Sequence, residues 1–283
     1  MYLFRPDQYL TTSPRSCMVI KGGFNLAFQC LQPTPMVLAI HVRPERLGDM
    51  VEPETITLFP QVEHETFLDS FGNKCTRLIA PPGRLSIWSR FVVVDSGLPE
   101  ELPFGAYQHC IQELPPETLT FLLGSRYCET EKLMDFAWSQ FGHIWEGWPR
   151  LKAILDYVHH RIIFDYQNAR KDRTAFEAHE EATGVCRDYA HLAIALCRCM
   201  NIPARYCTGY LGDIGVPPNP APMDFSAWFE AYLGGRWWTL DARHNTPRIG
   251  RILMARGRDA ADVAITTAFG TAQLTEFRVI TEE

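Results

Sequence analysis

Three observations predict an α+β fold. The first third of the chain carries β-rich runs punctuated by turn residues. The middle places apolar residues at three- and four-residue spacing. The last part returns to strands. Segregated blocks of this kind point to an α+β arrangement rather than alternating strand–helix units. A length of 283 residues accommodates one large domain or two ordinary ones. The pattern divides it into a loose arm over 1–17, a small all-β sandwich over 18–100 and an α+β core over 101–283.

In the first block Met36–Val42, Thr55–Phe59, Thr66–Asp69, Cys75–Ala80 and Arg84–Asp95 read as strands. Gly72-Asn73 is a hairpin signal, and Pro33-Thr34-Pro35 and Pro81-Pro82-Gly83 are turns. A linker follows over Ser96–Gly105. Helices are expected over Glu117–Cys128, Thr130–Phe141, Trp148–Ile163 and Val185–Met200, the last stopped by Asn201-Ile202-Pro203. Strands then resume at Ala204–Leu211, Phe225–Leu233 and Arg236–Arg243, with one more at Gln273–Thr281.

Apolar residues at 46% and charged residues at 21% exclude a disordered or low-complexity chain. No apolar run approaches the roughly 18 residues of a membrane span, so no membrane partner is expected. A net charge of −6 and a pI near 5.9 argue against a nucleic-acid partner. Nine cysteines is an odd number, and Lys21, Gly22 and Gly23 interrupt the only candidate leader. Free thiols in a reducing cytoplasm are the simplest expectation. Cys197-x-Cys199 is not a zinc spacing and no second pair completes it, so neither a metal nor another cofactor is expected.

Thr183-Gly184-Val185-Cys186-Arg187-Asp188-Tyr189 is the sharpest local feature. Thr183 or Gly184 can cap the helix, which places Cys186 in its first turn. Unpaired N–H groups and the helix dipole favour an anion there. The expected result is a depressed thiol pKa and a thiolate able to act as nucleophile. The alternative is a buried structural cysteine.

Phe225–Leu233 and Arg236–Arg243 flank the two-residue turn Gly234-Gly235. The turn sets the register: Leu233 opposes Arg236, Trp228 opposes Asp241 and Ser226 opposes Arg243. Alternation then puts Phe225, Ala227, Phe229, Ala231, Leu233, Trp238, Leu240 and Ala242 on a core face. Ser226, Trp228, Glu230, Tyr232, Trp237, Thr239, Asp241 and Arg243 share the other, which is the expected place for chemistry.

The cysteine motif continued to Ala190-His191, the strand entry Ile202-Pro203-Ala204-Arg205-Tyr206 with Gly209-Tyr210, the strand Ala227-Trp228-x-Glu230 and the return Trp238-x-x-Asp241 together resemble the bacterial transglutaminase-like cysteine peptidase family. The first block, with Pro33–Met36, Phe71-Gly72-Asn73 and Ala80-Pro81-x-Gly83, looks like the β-sandwich that precedes the core in many members. The resemblance covers nearly everything from Met18 onward. It implies a papain-like α+β core with a Cys-His-Asp triad, Cys186 matching the nucleophile and Asp241 the orienting acid. It also implies acyl transfer at an amide through an acyl-enzyme on Cys186, with peptide or isopeptide hydrolysis favoured and a peptide or protein as substrate. Transglutaminase chemistry with an amine acceptor is the alternative.

The family histidine precedes Ala-Trp, and that position here is Ser226. A serine hydroxyl cannot act as a base near neutral pH. Three explanations stay open at the level of sequence: an engineered inactive variant, a natural subgroup with a displaced base, or a peptide-binding module that no longer catalyses. His191 lies five residues past Cys186, about 140° around the helix, and should face elsewhere. His244, three residues past Asp241, is the better substitute base if the chain bends after Arg243. Trp228 and Trp237 are expected to wall the substrate cleft. Arg243 is expected to pair with Asp241 or bind a substrate carboxylate. Arg248, Arg251, Arg256 and Arg258 read either as a solvated loop or as an anion-binding rim.

Overall fold

The computed structural model describes residues 17–219 and 223–283. The arm expected over 1–17 thus falls almost wholly outside the described residues. The chain begins with β1 (Met18–Cys30) and β2 (Thr34–Leu38), then β3 (Met50–Phe59), β4 (His64–Leu68), β5 (Lys74–Ala80) and β6 (Gly83–Asp95). After the connecting segment come α1 (Pro116–Leu119), α2 (Thr130–Phe141), α3 (Trp148–Arg161), β7 (Ile163–Phe164), α4 (Ala175–Glu181), β8 (Thr183–Gly184) and α5 (Cys186–Cys199). The last part is β9 (Ala204–Tyr210), β10 (Ser226–Leu233), β11 (Arg236–Leu240), β12 (Ile252–Gly257), β13 (Thr266–Ala268) and β14 (Ala272–Glu282).

The expected α+β class and the β-rich first block are what the chain adopts. Two four-stranded sheets, ordered β14-β1-β6-β3 and β13-β2-β5-β4, form the first unit. β6 alternates buried and exposed positions along most of its length, as a strand with one core face should. Ile20, Phe24, Leu26, Met36, Leu38, Leu85 and Ile87 fill the shared interior. The strand expected at Gln273–Thr281 is β14, and it pairs antiparallel with β1. β13 likewise pairs with β2. The end of the chain therefore completes the sheets of the first block, although the sequence pattern runs the second unit through to residue 283.

A third sheet, β11-β10-β9-β12, packs against α5. Helix α5 is buried on every side from Asp188 to Cys199, as expected of a helix covered by a sheet and by α2, α3 and α4. Leu192, Ile194 and Leu196 are completely buried, each contributing about 1.5–3 kcal/mol by leaving water. Asp188 and Arg198 are held by backbone groups. Asp188 Oδ2 accepts the Val185 N–H at 2.8 Å and caps the helix. Arg198 donates to the carbonyls of Ala204 and Leu123. Gly184 is obligatory beside this cap, because a Cβ there would lie 2.7 Å from the Asp188 carboxylate.

The helix expected over Glu117–Cys128 is instead α1 and one 3-10 turn over Thr120–Leu122. Arg198 explains the break: its guanidinium takes the Leu123 carbonyl and the Ser125 hydroxyl, which a continuing helix would hold elsewhere. The return strand of the hairpin ends at Leu240 rather than Arg243. Asp241 Oδ1 there accepts the N–H groups of Arg243 (2.9 Å) and His244 (3.1 Å) and turns the chain.

His191 is fully buried, stacked on Tyr127 at 5.2 Å, and its Nε2 accepts the Ala260 N–H at 3.1 Å. Burial and the nearby Arg187 and Arg198 hold its pKa well below the ordinary value of 6.5. The unfolded chain therefore takes up a proton as pH falls below about 6.5 while the folded chain does not, so stability falls with pH in that window. The expected loss reaches about 1.4 kcal/mol per pH unit. His191→Gln should flatten the fall between pH 7.5 and pH 5 by that one proton, as measured by urea unfolding. An unchanged slope would mean that the ring is not held neutral.

Candidate active site

Cys186 opens α5 directly after β8, and the cap made by Asp188 fixes that first turn. Arg173, itself buried, holds Asp188 at 3.3 Å and also binds Glu181. The sulfur faces β10, where the Ala227 N–H donates to it. The thiol pKa is not depressed as the helix N-terminus suggests. Burial pushes it up to about 11, and this outweighs the lowering by Arg243 and the Ala227 N–H. The resting sulfur is consequently a neutral thiol that has to give up its proton when it attacks.

The turn that Asp241 makes over Ala242–His244, earlier than the bend expected after Arg243, brings His244 back over Asp241. His244 Nδ1 lies 2.8 Å from Asp241 Oδ2. A carboxylate only accepts, so Nδ1 carries the proton and Nε2 keeps a free lone pair. Asp241 is nearly inaccessible. Burial alone would raise its pKa, but Arg251 and His244 hold it well below the usual carboxylate range. Arg251 Nη2 is 2.6 Å from Asp241 Oδ2, and its Nε binds Glu100. The loop is pinned from behind by His159, whose Nδ1–H donates to the carbonyls of Arg243 (2.9 Å) and Ala242 (3.2 Å).

Cys186, Ser226, Arg243 and His244 line one cavity of about 100 Å³, together with Tyr166 and Arg248. The structure thus brings together five of the residues singled out in the sequence, Arg248 among them, and Asp241 joins them through His244. Ser226 sits on β10 paired with Gly209, and its carbonyl accepts the Thr208 hydroxyl. Arg243 pairs with Asp241 only through its backbone N–H. Its guanidinium lies over the Phe164 ring at 3.8 Å, and Phe164 meets Tyr166 edge-on at 4.9 Å.

Trp228 and Trp237 do not wall this cavity. Trp228 is buried beneath the Arg251 guanidinium at 4.8 Å. Trp237 stacks with Arg205 at 4.0 Å, near the hairpin turn. The face predicted to hold the chemistry is covered instead by arginines that answer its carboxylates. Arg205 and Arg256 both bind Glu230, and Arg251 binds Asp241. The arginine-rich segment is not a solvated loop, since Arg248 is buried against the Gly212 carbonyl, where it lines the Cys186 cavity, and Arg258 is paired with Asp262. Sequence reasoning misses Glu100, inside the expected linker, and His159 and Tyr166, which no motif marks. Arg251, named in the sequence only as part of the arginine-rich segment, precedes β12 by one residue.

Comparison with known proteins places these features in context. Residues 146–242, which carry Cys186 and Asp241, match the transglutaminase-like superfamily core. The whole chain is similar to the crystal structure of a "putative cysteine protease" from Cytophaga hutchinsonii. The two are 32% identical, the match covers 94% of this chain and 91% of that one, and the TM-score is 0.82. An uncharacterized protein of Mycobacterium leprae is 35% identical over 94 residues, 32% of this chain. The match spans 33% of the length of that curated relative.

Proposed function

Because this chain belongs to the transglutaminase-like superfamily, we propose that it performs cysteine-dependent acyl transfer at an amide bond, with Cys186 as nucleophile and His244, oriented by Asp241, as the base displaced from position 226. The observation that carries this reading is the 2.8 Å bond between His244 and Asp241 on the cavity that also contains the Cys186 thiol. It favours a displaced base over a module that no longer catalyses, because the imidazole is already set in the tautomer a base needs.

In this reading the neutral thiol attacks the carbonyl carbon while Nε2 of His244 takes its proton. Negative charge then grows on the carbonyl oxygen, where the backbone N–H of Cys186 is a donor at the helix N-terminus. The imidazolium, balanced by Asp241, returns the proton to the leaving nitrogen as the carbon–nitrogen bond breaks. This leaves a thioester on Cys186. Water, deprotonated in turn by His244, attacks the thioester; the carbon–sulfur bond breaks, the acid is released and His244 returns the proton to the Cys186 sulfur. Hydrolysis of a peptide or isopeptide is the finer proposal, and an amine in place of water gives the transamidation alternative. The chemistry needs a reduced thiol, and all nine cysteines are free. A cytoplasmic setting is part of the proposal. No helix among the described residues is long and apolar enough to cross a membrane.

The test is a pool of internally quenched fluorogenic peptides, run with and without monodansylcadaverine as amine acceptor. The parent protein is expected to release fluorescence from some members, and Cys186→Ala to release none. Label incorporated in preference to cleavage would select transamidation. Neither activity, or activity equal in Cys186→Ala, would overturn the assignment.

A further inference from the structure

A second cavity lies against the sheet strand next to the one beside the thiol. β9 and β10 pair Thr208 with Ala227, the residue whose N–H meets Cys186 Sγ. Thr208 lines this second cavity, of about 460 Å³, so it begins one strand spacing, roughly 4.8 Å, from the strand that supports the sulfur. Arg187, the residue after Cys186, lines it as well.

Its polar lining is cationic although the chain as a whole carries a net charge of −6. Arg126 and Lys171 are exposed in it, and neither has an ion-pair partner among the described residues. Arg126 and Arg187 flank the ring of Tyr127 at 5.3 Å and 5.9 Å from its centroid. Arg187 is held by the Lys171 carbonyl at 3.0 Å, and its buried Nε has no partner. The one carboxylate of the lining, Asp172, is already engaged by Arg170 at 3.3 Å. Tyr206 is 4% exposed, yet its hydroxyl has no hydrogen-bond partner among the described residues and borders the cavity. That hydroxyl is therefore free to donate to a ligand in the cavity.

We propose that this cavity is a carboxylate-binding subsite, in which Arg126, Lys171 and Arg187, with the Tyr206 hydroxyl, hold an acidic side chain of the peptide that is attacked by Cys186. The inference rests on the acyl-transfer reading and adds the substrate class to it. Arg126 and Lys171, without ion-pair partners among the described residues, and Arg187, which also pairs with Asp188 at 3.5 Å, suit an anionic oxygen pair beside a neutral hydroxyl donor, and the pairing of Thr208 with Ala227 suits a residue close to the reacting bond.

Calorimetric titration of Cys186→Ala protein tests it, with acetyl-Glu-Ala-Glu-Ala-amide, its Gln counterpart and inorganic phosphate as probes. The Glu peptide is expected to bind at least tenfold tighter than the Gln peptide. Arg126→Gln/Lys171→Gln should reduce that preference below twofold, and Tyr206→Phe should reduce it severalfold at unchanged charge. Equal affinities, no binding of the Glu peptide, or a preference that survives the double substitution would overturn the proposal. Phosphate binding without a peptide preference would reveal a small-anion site and overturn it too. Binding is read without the thiol, so failure here leaves turnover by the parent untouched. Failure of the acyl-transfer reading would instead show as lost turnover with the preference intact.

Discussion

Replacing His244 by alanine is expected to slow acyl transfer by about 10²–10⁴-fold, the usual contribution of a positioned base. The thiol explains why the effect should be large. Burial pushes Cys186 up to about 11, so almost none of it is ionised near pH 7. Without His244 no imidazole among the described residues lines the cavity to take its proton. Ser226→Ala should stay within about threefold of the parent, because a serine at that position has no part in proton transfer. Steady-state kinetics on a peptide found with the pool separates the two variants. A Ser226→Ala loss equal to that of His244→Ala would return the catalytic role to position 226.

The second large effect is on stability. Arg251 lies between Asp241 and Glu100, with its side chain only 6% exposed. Arg251→Met keeps the volume but leaves two carboxylates without their shared cation, one of them buried. The expected loss is about 3–5 kcal/mol in urea unfolding at pH 7.5. The partner should relieve it: Arg251→Met with Asp241→Asn should recover much of the loss, because the stranded charge is gone. The sign of the pH dependence follows from Asp241. Its folded pKa is depressed, so its contribution is present above the unfolded value near 3.9 and is lost only as pH falls through the folded one. An Arg251→Met protein within 1 kcal/mol of the parent would show that the pair contributes nothing net.

Much of this site is legible in the amino-acid sequence, and the reasons are local. Gly234-Gly235 takes positive φ at both residues and sets the hairpin, so the pairing of Leu233 with Arg236 follows from the turn alone. Helix α5 opens at Cys186 close to the expected Val185, but its cap is the Asp188 side chain inside the first turn rather than Thr183 or Gly184, which lie in β8. His244 is reachable because a strand ending on an aspartate bends back on its own side chain.

What escapes the sequence depends on distant partners. The helix expected over Glu117–Cys128 is broken by Arg198, more than seventy residues away in the chain. Trp228 and Trp237 share a face with Asp241 by alternation, but alternation does not reveal that arginines from other strands cover that face. Glu100 lies in an apparent linker, and only the fold brings it to Arg251. The thiol shift runs opposite to the sequence expectation for a related reason. The helix N-terminus is visible in sequence, whereas the desolvation that outweighs it depends on what packs around the sulfur.

The sharpest check on His244 as the base for Cys186 is the rate of iodoacetamide alkylation at Cys186 against pH, read peptide by peptide by mass spectrometry in the parent and in His244→Ala. The other eight cysteines serve as internal controls. The parent should alkylate at Cys186 well below pH 11, because His244 accepts the proton. In His244→Ala the rate at pH 7.5 should fall by at least about 100-fold, a deficit of the size expected for a lost base, and climb only as the thiol itself ionises toward pH 11. Superimposable profiles for the two proteins would contradict the assignment of His244 as the base that serves Cys186.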